Sequence, residues 1–191
     1  MSVLTVYQVP SEANQAPHHE ARFIDFNDIQ TQLAELGVQF ERWSTDRVLP
    51  ADADQATVIA AYQDSIDQLK EIYGFQSIDV IQVTPNHPDK LELRQKFLAE
   101  HTHDDFEVRF FIEGRALFYL HVGDKVFTVL CEQGDLISVP ANTKHWFDMG
   151  EHPDFKTIRL FTTPYGWAAN FTGDTIAKAF PTLDQTVASL S

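Results

Sequence analysis

Cysteine is nearly absent: Cys131 is the only one among 191 residues. An internal disulfide is thereby excluded, and a reducing compartment fits. At the end of the apolar run Val126-Phe-Thr-Val-Leu130 this thiol reads as a buried, inert side chain rather than a nucleophile. Positive charge is also scarce. Fourteen lysines and arginines stand against twenty-eight aspartates and glutamates, a formal net charge of −14. Such a balance opposes binding to nucleic acid or anionic lipid through general electrostatics, so a small-molecule partner is expected. No run of roughly eighteen apolar residues is present to span a bilayer, and Met-Ser-Val-Leu-Thr-Val-Tyr7 has neither the basic nor the long apolar part of a secretion signal. A cytoplasmic protein without a membrane partner is the expectation. No repeat, low-complexity tract or linker divides the chain. With 43% apolar and 12% aromatic residues it reads as one globular domain. An acidic surface without an evident apolar seam makes a monomer the expected state.

What is present falls into two parts. In the first, residues 1–100, Val58, Tyr62, Ile66, Leu69 and Ile72 recur at helical spacing and Gly74 follows as a stop, which predicts one helix from Gln55 to Tyr73. Asn27-Asp-Ile-Gln30 has the form of a capped helix start with Gly37 beyond it, and Pro88 suits the first position of a third helix through Leu91 and Leu98. Ser77-Ile-Asp-Val-Ile-Gln-Val83 reads as a strand, so this part is expected to be mainly helical with short strands at its edges. In the second part, residues 101–165, short β segments follow one another. One is expected to end at Glu113-Gly114; others cover residues 117–122, 126–130, 136–139 and 156–161. Their rhythm is that of an antiparallel sandwich or barrel. A helix is expected at residues 175–180, and residues 182–191 read as a flexible tail beyond a domain of residues 1–181.

The chemistry is concentrated in His101-Thr-His103-Asp-Asp-Phe-Glu107 and, further on, Pro140-Ala-Asn-Thr-Lys-His145-Trp-Phe147. Three imidazoles and a carboxylate form a ligand set for a divalent transition metal. Alternate residues of an extended strand share a face, so His101 and His103 can meet one ion. Glu107 cannot follow in a straight strand, because four residues cover roughly 13 Å. A turn at Asp104-Asp105 is required. Glu107 then opens the next strand, and Arg109 shares its face. Without thiolate, the set suits Fe, Ni, Mn, Co or Cu and leaves open positions on a six-coordinate ion. The residual positive charge favours an anionic donor with two oxygens. His18, His19, His87, His121 and His152 lack partners at ligand spacing, although His121 lies in a predicted strand.

These residues, with Gly114 and Gly134-Asp-Leu-Ile-Ser-Val-Pro140, match both motifs of the cupin superfamily. Asn142 stands where the second motif usually has glycine. The resemblance implies a mainly β fold with flanking helices: a single cupin-type antiparallel β-barrel, jelly-roll-like, with an N-terminal helical region. A closer resemblance extends over nearly the whole chain. Val38-Gln-Phe-Glu-Arg-Trp43, Val58-Ile-Ala-Ala-Tyr62, the metal segment, Asp135-Leu-Ile-Ser-Val-Pro140, His145-Trp-Phe-Asp-Met-Gly150 and Phe171-Thr-Gly-Asp174 resemble the bacterial acireductone dioxygenase family of methionine salvage.

That resemblance implies oxidation of 1,2-dihydroxy-3-keto-5-methylthiopentene by O2. With Fe2+ the family makes formate and 4-methylthio-2-oxobutanoate; with Ni2+ it makes formate, CO and 3-methylthiopropanoate. By matching position it implies His101, His103, Glu107 and His145 as metal ligands, Arg109 and Arg159 as catalytic, substrate-positioning residues, and Phe97 and Phe147 as pocket walls. Guanidinium donors suit paired oxygens. One departure is Phe106, where the family generally has an acidic residue. Asp104, Asp105 or solvent would then have to serve any role of that carboxylate. The alternatives at this level are another metal-dependent cupin oxygenase or isomerase, or a nonenzymatic cupin that binds a metal chelate.

Overall fold

Alternation of inward and outward apolar side chains builds two antiparallel sheets that share one strand. The computed structural model describes residues 1–11, 15–50 and 52–190. Strands β1 (Val3–Gln8), β2 (His18–Phe23), β3 (Gln39–Arg42) and β4 (Ser77–Val83) are interspersed with helices α1 (Phe26–Ala34), α2 (Gln55–Ala61), α3 (Gln63–Tyr73) and α4 (Lys90–Leu98). There follow β5 (His101–Thr102), β6 (Glu107–Val122), β7 (Lys125–Glu132), β8 (Asp135–Val139), β9 (Lys144–Asp148), β10 (Phe155–Phe161), β11 (Asn170–Phe171), a 3-10 turn at Ile176–Ala179 and α5 (Leu183–Ala188). One sheet runs β11-β5-β9-β6-β7-β1-β2; in the other β10 and β8 flank β6, with β4 beyond β10 and β3 beyond β8. Among the described residues no helix is long and apolar enough to cross a membrane.

β6 holds the sheets together. Its residues 107–114 pair with β10 and its residues 107–110 with β8, whereas residues 115–122 pair with β7 and residues 117–121 with β9. The expected end at Gly114 is thus replaced by a continuous strand of 16 residues. What the glycine marks is a bulge: Lys156 pairs with Glu113 and Thr157 with Phe111, so Ile112 is an extra residue. An extra residue reverses which side chains face inward. Val108, Phe110 and Ile112 accordingly pack outward with Val58, Ile66 and Leu69 of α2 and α3. Past the bulge Ala116, Phe118 and Leu120 lie in the inner core with Phe111, Val129, Ile137 and Phe147. Leu117 and Tyr119 face outward, where Trp146, Phe180 and Leu183 cover them.

Several local expectations change. The single helix over residues 55–73 is broken at Tyr62 (φ −107°, ψ 18°), whose ring packs edge-on against Phe110 at 5.6 Å. Periodicity misses the break because both pieces turn their apolar side to the same sheet. Asp25, rather than Asn27, caps α1, accepting from the Asn27 and Asp28 N–H groups. Pro88 lies in the turn ahead of α4. The N-terminal part has its helices, but β1 to β4 are members of the two sheets rather than decoration. The tail expected from residue 182 instead contains α5, with a reciprocal capping box between Thr182 and Gln185. Leu183 packs under the outer face of the first sheet, and its N–H donates to Asp148 at 2.8 Å. Ser191 lies outside the described residues. The helix expected at residues 175–180 is the short 3-10 turn.

Gly114 has φ +71°, and a Cβ there would sit 1.9 Å from the Asp154 carbonyl oxygen. At Gly123, φ is +64° but nothing lies within 4 Å. Gly114→Ala should therefore cost about 3 kcal/mol or more in urea unfolding, against about 1 kcal/mol for Gly123→Ala. Equal losses would mean that the bulge can relax freely.

Candidate metal centre

The two halves of the motif meet because β5 and β9 are neighbours, with His101 directly opposite His145. The turn into β9 is tight. Asn142 takes φ 64°, a conformation asparagine tolerates, and its N–H donates to the His103 carbonyl at 2.8 Å. After His103 the chain bends at Asp104 and Asp105 and returns as β6, with Glu107 first. Asp105 closes the bend by accepting from the Phe106 and Thr163 N–H groups, each at 2.7 Å, and from the Thr162 and Thr163 hydroxyls. Burial alone would raise its pKa, but these donors hold it below the usual value.

His101, His103 and His145 are buried and place a nitrogen each within 4.8 Å of one another. Each ring is held the same way. Nδ1 of His101 donates to the Ala99 carbonyl, that of His103 to Ala168 and that of His145 to Thr143, all at 2.8 Å. A carbonyl oxygen only accepts, so the proton sits on Nδ1 and Nε2 keeps its lone pair for a ligand role. Glu107 Oε2 lies 3.5 Å from Nε2 of both His103 and His145. That is too long for a good hydrogen bond, and Glu107 Oε2 and His145 Nε2 are buried without a partner. Unpaired buried acceptors are costly, and a cation between them would satisfy both. The donor set therefore fits a divalent metal.

Protonation is arranged to match. Burial, then the neighbouring His145, lowers the His101 pKa to about 4, and burial lowers that of His103. Both imidazoles are neutral at neutral pH. Burial would raise Glu107, yet its carboxyl is held well below its ordinary value, chiefly by the Arg109 guanidinium beside it. Arg109, from the same face of β6, donates through Nη2 to Glu107 Oε1 at 2.8 Å. Its Nη1 is buried and has no partner.

A cavity of about 190 Å³ opens over the histidines. Arg109, Arg159, Phe97 and Phe147 all line it. Phe97 and Phe147 meet edge to face at 5.9 Å, and the Arg109 guanidinium lies over Phe147 at 4.4 Å. Arg159 is more constrained than its sequence position suggests. Asp79, opposite it on β4, takes Nε at 2.8 Å and Nη2 at 2.6 Å. Trp146 points away from the cavity and stacks on Tyr119 at 4.9 Å. Phe106 also points away, stacking on Tyr73 and Phe75 in the aromatic cluster beneath α3. It is not among the residues that line the cavity, and both oxygens of Asp105 are already engaged. Cys131 is buried, and burial pushes its thiol pKa well up.

Ile81, Leu93, Trp167 and Phe171 also line the cavity and were not anticipated as site residues. Ile81 comes from β4, twenty residues before His101, whereas Leu93 lies one turn ahead of Phe97 on α4. The signals available were the helical spacing of Leu93 from Phe97, the aromatics in Tyr165-Gly-Trp167 and the presence of Phe171 in a segment that carries the resemblance. A larger groove of about 540 Å³, bordered by Arg115, His152 and Asp184, contains none of the expected site residues.

The lowered His101 pKa sets a pH dependence. The unfolded imidazole takes up its proton near pH 6.5, whereas the folded one resists to about 4. Stability of the metal-free protein is therefore complete above pH 6.5 and falls toward pH 4, with His101 contributing about 3 kcal/mol of the loss. Urea unfolding of His101→Gln should show a correspondingly shallower slope in that window. An unchanged slope would rule out His101 as its source.

Comparison with known proteins agrees with this geometry. A family model described as the ARD/ARD' family matches residues 4–169. The chain is 57% identical over 185 residues to an acireductone dioxygenase of Methylococcus capsulatus, covering 96% of each protein. It is 54% identical over 183 residues to that of Klebsiella oxytoca, covering 96% of this chain and 99% of the other. Among solved structures, an acireductone dioxygenase from Bacillus anthracis with a cadmium ion in its active centre superposes with a TM-score of 0.75 at 29% identity, over 90% of this chain and 98% of that one. The shared cupin-type architecture and the identity along nearly the entire chain lead to one conclusion: this protein belongs to the acireductone dioxygenase (ARD/ARD') family.

Proposed function

We propose that the protein is a metal-dependent acireductone dioxygenase that holds one divalent ion, Fe2+ or Ni2+, on His101, His103, Glu107 and His145. Its substrates are 1,2-dihydroxy-3-keto-5-methylthiopentene and O2. The observation that carries this reading is the convergence of three Nδ1-locked imidazoles lining a cavity shared with two arginines, with an unpaired Glu107 oxygen 3.5 Å from two of them. The relatives named above point to the same activity.

When bound, the metal supplies Lewis acidity and a template for a two-oxygen chelate. The protein's own groups do the rest. Arg109 acts in two directions, since Nε and Nη2 hold Glu107 in place while the unpartnered Nη1 is a donor available to a substrate oxygen. Arg159, fixed by Asp79, adds positive charge at the wall and favours the anionic form of the acireductone. Phe97 and Phe147 exclude water beside the reacting oxygens and suit the apolar methylthio chain. Neutral His101 and His103 leave no imidazolium proton of theirs to quench the anion. With Fe2+ the products are formate and 4-methylthio-2-oxobutanoate; with Ni2+ they are formate, CO and 3-methylthiopropanoate. The enzyme works as a cytoplasmic monomer on a diffusible substrate.

Product analysis after separate reconstitution of metal-free protein with Fe2+ and Ni2+ tests the activity: the keto acid is expected with iron and CO with nickel. Consumption of the acireductone at the uncatalysed rate with both metals bound would overturn it. Variants test the roles. Glu107→Ala should weaken metal binding more than about 100-fold, beyond the usual loss for an outer-shell residue. Arg109→Lys keeps a charge beside Glu107 but loses the forked donors, so kcat/KM should fall about 100-fold with metal affinity within about tenfold of the wild type. Metal-free Arg109→Lys protein would reverse these assignments.

A further inference from the structure

Residues 167–173 form one wall of the cavity, yet they have little burial of their own. Trp167 is 52% exposed and Phe171 51%, and of the others only Ala169 is partly buried. Apolar contact cannot be what keeps this strap in place. Polar bonds to the ligand segment do so. Ala168 offers its carbonyl to His103, Asn170 Nδ2 donates to Asp104 at 2.9 Å, and β11 pairs with β5. At the far end, the Thr172 N–H donates to the Glu100 carbonyl at 3.0 Å and its hydroxyl to Glu100 Oε1 at 2.8 Å.

Glu100 is unlike the other partners. It is 1% exposed, immediately precedes His101, and has both carboxylate oxygens engaged. Oε1 takes the Thr172 hydroxyl, while Oε2 lies 2.6 Å from Nδ1 of His121 on β6. One buried carboxylate thus joins the barrel, the segment of His101 and His103, and the strap. The strap in turn supplies the carbonyl that fixes the His103 tautomer and the Phe171 ring that lies 5.7 Å from His101.

We infer that Glu100 is a positioning residue. Braced by His121, it fastens the strap to the ligand strand, so that closing the cavity wall and presenting His103 Nε2 are one event. Its consequence for metal binding rests on the ligand set proposed above; the fastening itself does not. His121, which has no ligand spacing in the sequence, acquires a role through this carboxylate.

Hydrogen exchange of the Ni2+-saturated protein and Ni2+ titration of the metal-free protein test the inference. In Glu100→Ala the amides of residues 168–172 should exchange about tenfold faster while those of β6 and β7 are unchanged, and Ni2+ should bind about tenfold more weakly. Glu100→Gln can still accept from Thr172 and, with the other His121 tautomer, donate to the ring. It should restore both values to within about threefold. Thr172→Val, a change at an exposed position, should loosen the strap about threefold even if Glu100→Ala fails to fold. Strap exchange at the wild-type rate in Thr172→Val, or acceleration spread evenly through β6 and β7, would overturn the inference. Neither readout uses the acireductone, so a failure of the proposed activity would leave this result intact.

Discussion

A β-strand shows its side chains to alternate sides, and β6 must satisfy that rule in two sheets at once. Before Ile112 its inward positions are Glu107, Arg109 and Phe111; after the bulge they are Ala116, Phe118 and Leu120. Were the alternation to run unbroken through Ile112, the second half would turn Leu117 and Tyr119 inward and Phe118 outward. The metal cavity and the hydrophobic core therefore depend on the same local irregularity. Gly114 permits it, since the Asp154 backbone occupies the space where a side chain would begin.

Around this strand the protein buries charge only where partners are prepared. Glu107 and Arg109 are an adjacent inward pair, and a buried pair of this kind tolerates neither partner alone. Their arrangement leaves one carboxylate oxygen and one guanidinium nitrogen unsatisfied, both in the site. Backbone carbonyls orient the three imidazoles, so no further charged side chain is needed to choose their tautomers. Elsewhere Asp148 does comparable work with Arg94, the Gly150 N–H and the Leu183 N–H, binding α4, β9 and α5 together behind the cavity.

Much of the site was legible because its signals are local. The two-residue spacing of His101 and His103, the need for a turn before Glu107, and Arg109 sharing the face of Glu107 all follow from strand geometry. Strand β4 was readable from its β-forming residues, and Asn142 from its place in a turn. What was not legible depended on partners distant in the chain. Asp79 captures Arg159 across a strand pair, Phe106 joins aromatic rings from α3 and the segment after it, and α5 is held by Asp148 rather than fraying.

By itself the sequence determined the donor chemistry, the turn that brings Glu107 back, the antiparallel β character and the family resemblance. These depend on residue type and short spacing, where backbone geometry leaves few choices. Tertiary structure alone decided that β6 runs on through Gly114, that His121 reaches Glu100, and that Trp167 and Phe171 close over the histidines. Such outcomes depend on which strands pair and in what register, and that is a property of the whole packed chain rather than of any segment in it.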